Sequence, residues 1–403
     1  MITEIMVGRQ PIFNRKKEVI GYELLFRSPQ SQGAAQFIDG DKATTDVIIN
    51  AFSTIGLQNL VGDKIAFINL TENFILGKYP IPFPPQQVAL EVLENIPITK
   101  PVIDGLKKFS QLGYRIALDD VDDLNKVRGL LPLATIIKID LPKVNHNSLI
   151  MMVHSLKQLE KKILVEKVET QEEFDYCYQQ GCHFFQGYFL CKPNIVKSKR
   201  LDASRLVVIN TLSKIQDPKV SFKDLENMIT QDVTLSIKLL RLINSAYYAT
   251  TTQIKTISQA ISMIGTDYLR GWLTLMLIST ILDKPHELTT IALTRARFCE
   301  LLAKARHLSN TASYFTCGLL SVMDALLDIA MEQIVQQILL SDDIARALLK
   351  HEGDIGKTLS YAISHEQGQF NGEQVLNLPA HKITDAYLKS IQWASSFAES
   401  FTA

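Results

Sequence analysis

The sequence predicts an α/β protein in which a (β/α)8 TIM-type barrel is followed by an all-α domain. In the first half, short runs rich in Val, Ile, Leu and Phe recur at intervals of roughly twenty to thirty residues, with helix-like segments between them. Beyond about residue 203 strand signals nearly vanish and one helical pattern follows another. We therefore expect a barrel in residues 1–195, a linker in residues 196–202 and a helical domain in residues 203–403.

Eight apolar runs are the candidate strands of the barrel. The first two, near residues 7–13 and 19–26, read as a strand pair. The other six candidate strands are residues 66–70, 89–94, 115–120, 136–140, 162–168 and 183–190. The helices between them are predicted at residues 41–56, 100–113, 146–162 and 170–181. Gly113 and Gly181 fall where two of these helices should stop.

Composition excludes several classes of protein. With 46% hydrophobic and 21% charged residues the chain can bury a sizeable core. Lys plus Arg and Asp plus Glu each number 42, so no net charge attracts a nucleic acid polymer or an acidic membrane. The longest apolar run, residues 269–282 around Trp272, is too short for a membrane span and reads as a buried core helix.

The cysteines and the N-terminus indicate a cytoplasmic protein without membrane insertion. The five cysteines have no CxxC spacing, so free thiols in a reducing compartment are expected rather than disulfides or a zinc site. Residues 1–13 lack the basic region and apolar stretch of a signal peptide.

Polar residues stand at the ends of the predicted strands. A (β/α)8 barrel builds its active site from side chains at the carboxyl ends of its strands. Carboxylate and amide oxygens are the ligands that Mg²⁺ and Mn²⁺ prefer. A single such carboxylate, for example Glu94 or Asp140, is better read as a solvated strand end or a salt-bridge partner. The ordered set indicates a site for a divalent metal and a phosphate: Glu23, Asn69, Glu91, Asp119, Asp120, Lys138, Glu166 and Gln186.

The segments GYELLFR, INL, LEVLE, ALDD, IKID, VEKVET and FFQGYF occur in this order. Together they resemble the EAL-domain cyclic-di-GMP phosphodiesterases, and the resemblance covers about residues 5–195. It implies hydrolysis of one phosphodiester bond of cyclic di-GMP to the linear dinucleotide, with two Mg²⁺ or Mn²⁺ ions. The metal ligands that it implies are Glu23, Asn69, Glu91 and Asp119, with Asp120 on the second ion.

The resemblance also implies roles for other side chains. Lys138 would hold or activate the attacking water, and Glu166 would be a further metal or base residue. Gln186 would position a metal-bound water and Arg27 would bind a substrate phosphate. Glu169 matches the carboxylate that steadies the loop after the Asp pair.

Two departures from the family pattern leave alternatives open. The segment after the Asp pair reads DDVDDLNKVRG where relatives have a glycine-rich DDFGTGYSS, and Lys167 stands where they have glycine. Without those glycines the loop cannot follow the same backbone path. The leading function is cyclic-di-GMP turnover, which would favour motility over biofilm. The alternatives are a receptor or adaptor for cyclic di-GMP or another guanine nucleotide, and a scaffold with a vestigial site.

The segments LSKIQDP, DLENMITQDVTLSIKLLRLINSAYY and ISQAISMIG resemble the opening of HDOD domains, helical relatives of HD phosphohydrolases without the catalytic metal ligands. Met323–Asp324 stands where an active relative has His-Asp, and a thioether is a poor ligand for a hard cation. Four histidines of this half are expected at the surface or as helix caps: His307, His351, His365 and His381. We expect a non-catalytic module that binds a protein partner, and homo-oligomers are an open alternative.

Overall fold

The computed structural model describes most of the chain and divides it into two units. The described residues are 6–27, 57–79, 81, 83–191, 203–217, 219–231, 236, 239, 240, 243, 254, 256–278, 285–370 and 376–402. Unit 1 comprises Met1–Leu190 with His365–Phe370, and unit 2 comprises Cys191–Ser364 with Asn371–Ala403. The predicted helix at residues 41–56 and the predicted linker at residues 196–202 lie outside the described residues.

Unit 1 contains a closed eight-stranded barrel in which neighbours in sequence are neighbours in space, which confirms the predicted fold. The strands are β1 (Met6–Asn14), β2 (Val19–Arg27), β3 (Ile65–Leu70), β4 (Val88–Val92), β5 (Arg115–Leu118), β6 (Ile136–Asp140), β7 (Lys162–Glu166) and β8 (Phe184–Gln186). From β2 to β8 every neighbouring pair is parallel.

Strand β1 departs from the all-parallel pattern of a (β/α)8 barrel, because it is antiparallel to both β2 and β8. The cause is the short connection between β1 and β2. The Asn14 amide donates to the Glu18 carbonyl at 2.9 Å, and the Lys17 amide donates to the Asn14 carbonyl at 3.0 Å, so the chain reverses within four residues. A parallel partner would have required a crossover of a dozen or more residues.

One layer of apolar side chains fills the barrel below its mouth. This core layer consists of Ile12, Phe67, Ala89, Ala117, Ile136 and Leu164. Strand β2 contributes Gly21 beside it, where an added Cβ would lie 2.9 Å from the Phe67 ring and 2.6 Å from the Ile65 carbonyl oxygen. Side chains two residues apart on a strand share a face. On the parallel strands the residue two positions after each core-layer residue therefore also points into the barrel, nearer the mouth, whereas on the antiparallel β1 it is the residue two positions before Ile12.

The helices of the barrel unit are α1 (Leu57–Val61), α2 (Glu72–Ile75), α3 (Lys100–Gln111), α4 (His146–Gln158) and α5 (Gln171–Gln180). Helix α5 begins at a capping box, in which the Thr170 side chain accepts from the Glu173 amide and the Glu173 carboxylate accepts from the Thr170 amide. It ends at Gly181, whose φ of 93° confirms the predicted stop. Gly113, with φ 89°, follows the end of α3 in the same way.

Four predicted strands extend too far, and those at residues 89–94 and 162–168 do so by two residues each, because β4 ends at Val92 and β7 ends at Glu166. The one at residues 183–190 is wrong beyond Gln186, because Tyr188–Cys191 form a 3₁₀-helix. The break is at Gly187, whose φ is 149° and whose missing Cβ would lie 2.2 Å from the Val168 carbonyl oxygen. The one at residues 115–120 stops at Leu118, because Asp120 has a left-handed φ of 51° that a strand cannot continue.

In the described part of residues 203–402 every regular element is a helix, as predicted. The helices are α6 (Ala203–Gln216), α7 (Phe222–Thr230), α8 (Ile257–Ile264), α9 (Thr266–Ile278), α10 (His286–Ala305), α11 (Thr311–Leu320), α12 (Met323–Leu327), α13 (Met331–Gln337), α14 (Asp342–Lys350), α15 (Gly353–Glu366) and α16 (Ala380–Thr402). Trp272 is 2% exposed and its ring centroid lies 5.5 Å from that of Trp393, so the run is core, as expected, at this described position.

Among the described residues, no single helix combines the length and apolarity needed to cross a bilayer. One bent pair, Thr311–Leu327 with Met331–Gln337, meets these length and composition criteria only when the two are taken together.

The expectation of surface or capping histidines is wrong for His365. His307, His351 and His381 are exposed, and His351 caps the end of α14 with a left-handed φ of 54°. His365 is 0% exposed, and its Nε2 lies 3.0 Å from the Val7 carbonyl oxygen of β1, to which the neutral ring donates. Burial lowers the pKa of His365 to about 4, although the hydrogen bond to Val7 opposes that shift. His365 is buried because it lies on the same face of α15 as Thr358, Tyr361 and Ala362, which are also buried.

The buried His365 predicts a loss of stability in mild acid. The unfolded chain takes up the imidazole proton near pH 6.5, whereas the folded chain takes it up only near pH 4. The contribution of the neutral His365 to the free energy of unfolding is therefore fully present above pH 6.5 and is lost as the pH falls toward 4. Its full size is about 3 kcal/mol. Urea unfolding followed by circular dichroism at pH 7 and pH 5 should show a larger loss for the parent than for His365→Gln. Equal losses in the two proteins would contradict this account.

Candidate active site

Seven of the predicted site residues line the mouth of the barrel, on the interior face of their strands or just past a strand end. Asn69, Glu91, Asp119, Lys138 and Glu166 each stand two positions after a core-layer residue. The register pairs Asn69 with Glu91 across β3 and β4. Glu23 and Gln186 join them, because the Gln186 side chain donates to Glu23 Oε2 at 2.7 Å.

The ammonium group of Lys138 lies at the centre of this group. Its Nζ is 2.6 Å from Glu91 Oε1, 2.7 Å from Asp119 Oδ1, 2.8 Å from Glu166 Oε1 and 3.2 Å from Glu23 Oε2. We call these five side chains the inner cluster. The contact with Glu23 is a hydrogen bond from the ammonium group, and the other three contacts are ion pairs of 2.8 Å or less. One ammonium group with three protons therefore faces four carboxylates.

Burial, together with this imbalance of charge, raises the pKa of three inner-cluster acids. Burial, with repulsion from Glu23, raises the pKa of Glu91 well above its usual value against the attraction of Lys138. Burial likewise raises the pKa of Asp119, and it raises that of Glu166 to about 8. Burial alone would lower the pKa of Lys138, but the four surrounding carboxylates raise it well above the usual value. The lysine therefore stays charged while the acids around it are short of positive charge.

The donor atoms of this mouth suit a hard divalent cation. The buried oxygens that accept no hydrogen bond and are not the atoms closest to the Lys138 ammonium are Asn69 Oδ1, Glu91 Oε2, Glu166 Oε2 and Gln186 Oε1. Buried oxygens without donors are costly, and oxygen ligands are the ones that Mg²⁺, Mn²⁺ and Ca²⁺ take. Within the described part of the chain, no three His, Cys, Asp or Glu side chains are already arranged around a metal position. The Lys138 ammonium lies among the carboxylate oxygens instead.

Gln10 belongs to the site and was missed in the sequence. Its Oε1 accepts a hydrogen bond from Gln186 Nε2 at 2.9 Å, and the same nitrogen donates to Glu23. Gln10 lies on β1 directly opposite Glu23 on β2. The short turn between β1 and β2 could have predicted this position. In a hairpin with so short a turn, Gln10 pairs with Glu23 across the two strands.

Asp120 does not join the inner cluster. Its Oδ2 lies 2.8 Å from Lys143 Nζ and its Oδ1 lies 3.5 Å from Lys167 Nζ. Asp140 Oδ2 contacts the same two ammonium groups, at 3.1 Å from Lys143 and 2.6 Å from Lys167. We call these four side chains the outer cluster. Asp140 is thus a salt-bridge partner, as a lone carboxylate was expected to be, but it is almost fully buried.

The other two predicted residues are less well defined. Arg27 is the last residue of β2, and its side chain lies outside the described residues. Glu169 is exposed in the turn before α5, where its backbone amide donates to Glu173 Oε2 at 2.7 Å. The roles assigned to them in substrate binding and loop support stay predictions.

The segment after Asp120 forms turns rather than a helix. The Val121 amide donates to the Lys138 carbonyl at 2.9 Å, which fixes the start of this segment against β6. Asp122 and Lys126 form an exposed ion pair at 2.7 Å further along. The segment and the ends of β4 and β5 enclose a cavity of about 190 Å³, which Asp119 and Asp120 also line.

The position of the missing His-Asp pair in the helical half is buried. Met323 is 0% exposed at the start of α12. Burial raises the pKa of Asp324 to about 6, although the Ala325 amide donates to its carboxylate at 2.8 Å and Arg295 attracts it. Asp324 without a neighbouring imidazole does not make a metal site.

Comparison with known proteins identifies both halves of the chain. A family model for the EAL domain matches residues 58–193, and one for the HDOD domain matches residues 204–358. The chain is 32% identical over 408 residues to the uncharacterized protein YuxH of Bacillus subtilis, covering 98% of this chain and 99% of that protein. It is 33% identical over 370 residues to the cyclic di-GMP phosphodiesterase CdgJ of Vibrio cholerae, covering 91% and 86%.

Among solved structures, a Klebsiella pneumoniae BlrP1 complex with manganese and cyclic di-GMP matches at 24% identity with a TM-score of 0.39. That match covers 46% of this chain and 55% of the BlrP1 chain.

The inner cluster predicts that Lys138→Met destabilises the metal-free barrel. The substitution removes the one ammonium group that faces four carboxylates and leaves their buried charge uncompensated. Such a loss lowers the free energy of unfolding by about 3–5 kcal/mol. Urea unfolding at pH 8 with EDTA measures the change. Circular dichroism is the suitable signal, because both tryptophans, Trp272 and Trp393, lie in the helical unit.

Lys126→Met is the matched control, because its ion pair with Asp122 is exposed and its loss should cost less than about 1 kcal/mol. If Lys138→Met unfolds at the same urea concentration as Lys126→Met, the inner cluster does not depend on its ammonium group.

Proposed function

Because the chain belongs to the EAL–HDOD proteins, in which an EAL domain precedes an HDOD domain, we propose that its barrel hydrolyses cyclic di-GMP. The reaction opens one phosphodiester bond and gives the linear dinucleotide. The observation that carries this proposal is the inner cluster, in which three buried carboxylates and the partly buried carboxylate of Asp119 share one ammonium group. The similarity to CdgJ over 91% of the chain supports the substrate.

Divalent cations, Mg²⁺ or Mn²⁺, complete the site in this proposal. Glu23, Asn69, Glu91 and Asp119 would hold the first ion, since their oxygens include those that accept no hydrogen bond. Asp120 would be the ligand of a second ion, as in a two-metal mechanism. When bound, such ions neutralise the phosphate and lower the pKa of water, which supplies a nucleophile near neutral pH.

The side chains around the ions have distinct parts in the reaction. Glu166 accepts the proton of the attacking water, for which a carboxyl group with a pKa above its usual range is suited. Gln186 orients that water through Oε1, because its Nε2 is already engaged by Gln10 and Glu23. Lys138 would hold or activate the attacking water, since its ammonium group lies among the carboxylates that are proposed to hold the ions. Arg27 is proposed to bind a phosphate of the substrate.

The helical half is proposed to be a regulatory module that binds a protein partner. The buried Met323 in place of a histidine supports a role without metal chemistry. In a cell the lowered cyclic di-GMP would favour motility over biofilm. A cytoplasmic location is part of this proposal, in keeping with five free cysteines.

A second candidate function is a receptor that binds cyclic di-GMP, or another guanine nucleotide, without hydrolysing it. The observation that favours it is the outer cluster, in which Lys143 and Lys167 hold the Asp120 carboxylate that the second ion would need. The altered segment after Asp120 favours it too. A receptor would bind nucleotide with a divalent cation and release it unchanged.

Incubation of the full-length protein with cyclic di-GMP and Mg²⁺ or Mn²⁺, followed by chromatography, tests the proposed reaction. We expect the linear dinucleotide as product, and a rate at least about a hundredfold lower for Glu91→Gln, because a metal ion supplies several kcal/mol of transition-state stabilisation. Glu94→Gln is the matched control, since Glu94 is an exposed carboxylate three residues further along the chain, and it should retain the parent rate.

Bound nucleotide that stays intact with either metal after long incubation at high protein concentration would overturn hydrolysis and support the receptor. Turnover that survives Glu91→Gln would overturn the assignment of the reaction to the inner cluster.

A further inference from the structure

The outer cluster depends on a lysine in an unusual backbone conformation. Lys167 follows Glu166 directly and has a φ of 56°, a left-handed conformation that glycine adopts without strain and that costs other residues roughly 1 kcal/mol. From this position its ammonium group reaches Asp140 at 2.6 Å and Asp120 at 3.5 Å. A strained conformation that delivers a charge to two carboxylates indicates that the charge itself has a role.

Asp140 holds both ammonium groups beside Asp120. Asp140 is 1% exposed, and its Oδ1 is buried and accepts no hydrogen bond. A carboxylate so deeply buried is costly without a cation. Its Oδ2 is the atom that Lys167 and Lys143 contact. The lysines are therefore fixed at the mouth by a buried partner, although their own side chains are about half exposed.

The two clusters differ in charge balance. The inner cluster has three carboxylates more than it has ammonium groups, whereas the outer cluster has two of each. A divalent cation in the inner cluster relieves repulsion among carboxylates. A divalent cation at Asp120 would instead meet two fixed ammonium groups within 3.5 Å of the carboxylate that it needs. Like charges at such distances repel by about 1–4 kcal/mol near a protein surface.

We infer that Lys143 and Lys167 act as built-in cations at Asp120, so that the barrel mouth binds one divalent ion strongly and a second one weakly. This inference rests on the proposed metal-dependent function, and it specifies how that site is loaded. The inner cluster takes the first ion. The second ion binds only when the two ammonium groups move away from Asp120. The metal ion and the two lysines therefore compete for the Asp120 carboxylate.

Titration of the full-length protein with Mn²⁺ in the absence of nucleotide tests the inference independently of activity. Electron paramagnetic resonance of free Mn²⁺ gives the number of bound ions and their dissociation constants. In the parent we expect the second ion to bind at least about tenfold more weakly than the first. Lys167→Gly and Lys143→Gln should each tighten the second ion by about tenfold, and change the first by less than about threefold.

Two controls separate charge from backbone effects. Lys167→Arg keeps the cation and should bind Mn²⁺ as the parent does. Lys17→Gly makes the same change at another lysine with a left-handed φ of 60°, in the turn between β1 and β2, and should leave both affinities unchanged. Glu91→Gln should abolish the strong site.

Two ions of equal affinity in the parent, or a second ion that Lys167→Gly and Lys143→Gln fail to tighten, would overturn the inference and leave the proposed function standing. If no Mn²⁺ binding is sensitive to Glu91→Gln, the metal site itself fails, and the inference fails with it.

Discussion

The mouth of the barrel is organised by one buried lysine that is outnumbered by the acids around it. Lys138 is fully buried and lies within 3.2 Å of carboxylate oxygens from β2, β4, β7 and the residue after β5. Its charge lets these strand ends approach one another in the folded chain, but one ammonium group cannot neutralise four carboxylates. The site therefore favours either protons or additional cations, and oxygen-rich donors make divalent metal ions suitable ones.

The barrel supplies this arrangement through strand alternation. The apolar core layer and the polar layer above it are two residues apart on the same face of each strand, as Phe67 and Asn69 or Ala89 and Glu91 illustrate. A slip of one residue in any strand would turn its polar side chain out of the barrel. The apolar layer thus sets the position of the site, because it fixes the register that aims the polar residues inward.

Most of the inner cluster could be predicted from the sequence for that reason. Glu91, Asp119, Lys138 and Glu166 each end a short apolar run, and the carboxyl ends of parallel strands meet at one edge. Side-chain direction beyond the strand ends could not be predicted. Asp120 follows Asp119 directly, yet its left-handed backbone turns it toward Lys143 and Lys167 rather than Lys138.

Contacts between residues that are separated along the chain could not be predicted from the sequence either. The end of β8 depends on the close passage of Gly187 over Val168, which are far apart along the chain. The burial of His365 depends on Val7 of β1, which is more distant still. The helix boundaries were more accessible, because Gly181 and the Thr170 capping box are local signals.

The outer cluster contains a residue in which this chain departs from the EAL pattern, and this residue lies beside the proposed ligand of the second ion. Lys167 stands where the resemblance to EAL domains implies glycine, and together with Lys143 it gives Asp120 two cationic partners, both of which also contact Asp140. In this account the inner cluster requires a cation and the outer cluster already has two. The order in which ions bind follows from that difference.

Anomalous diffraction from crystals of the full-length protein grown with Mn²⁺ tests the central claim most directly. The account predicts an Mn²⁺ ion within about 2.0–2.6 Å of Glu91 and Asp119 oxygens, with the Lys138 ammonium moved away from both. An ion found at Asp120 alone, with Lys138 still in contact with all four inner carboxylates, would contradict it.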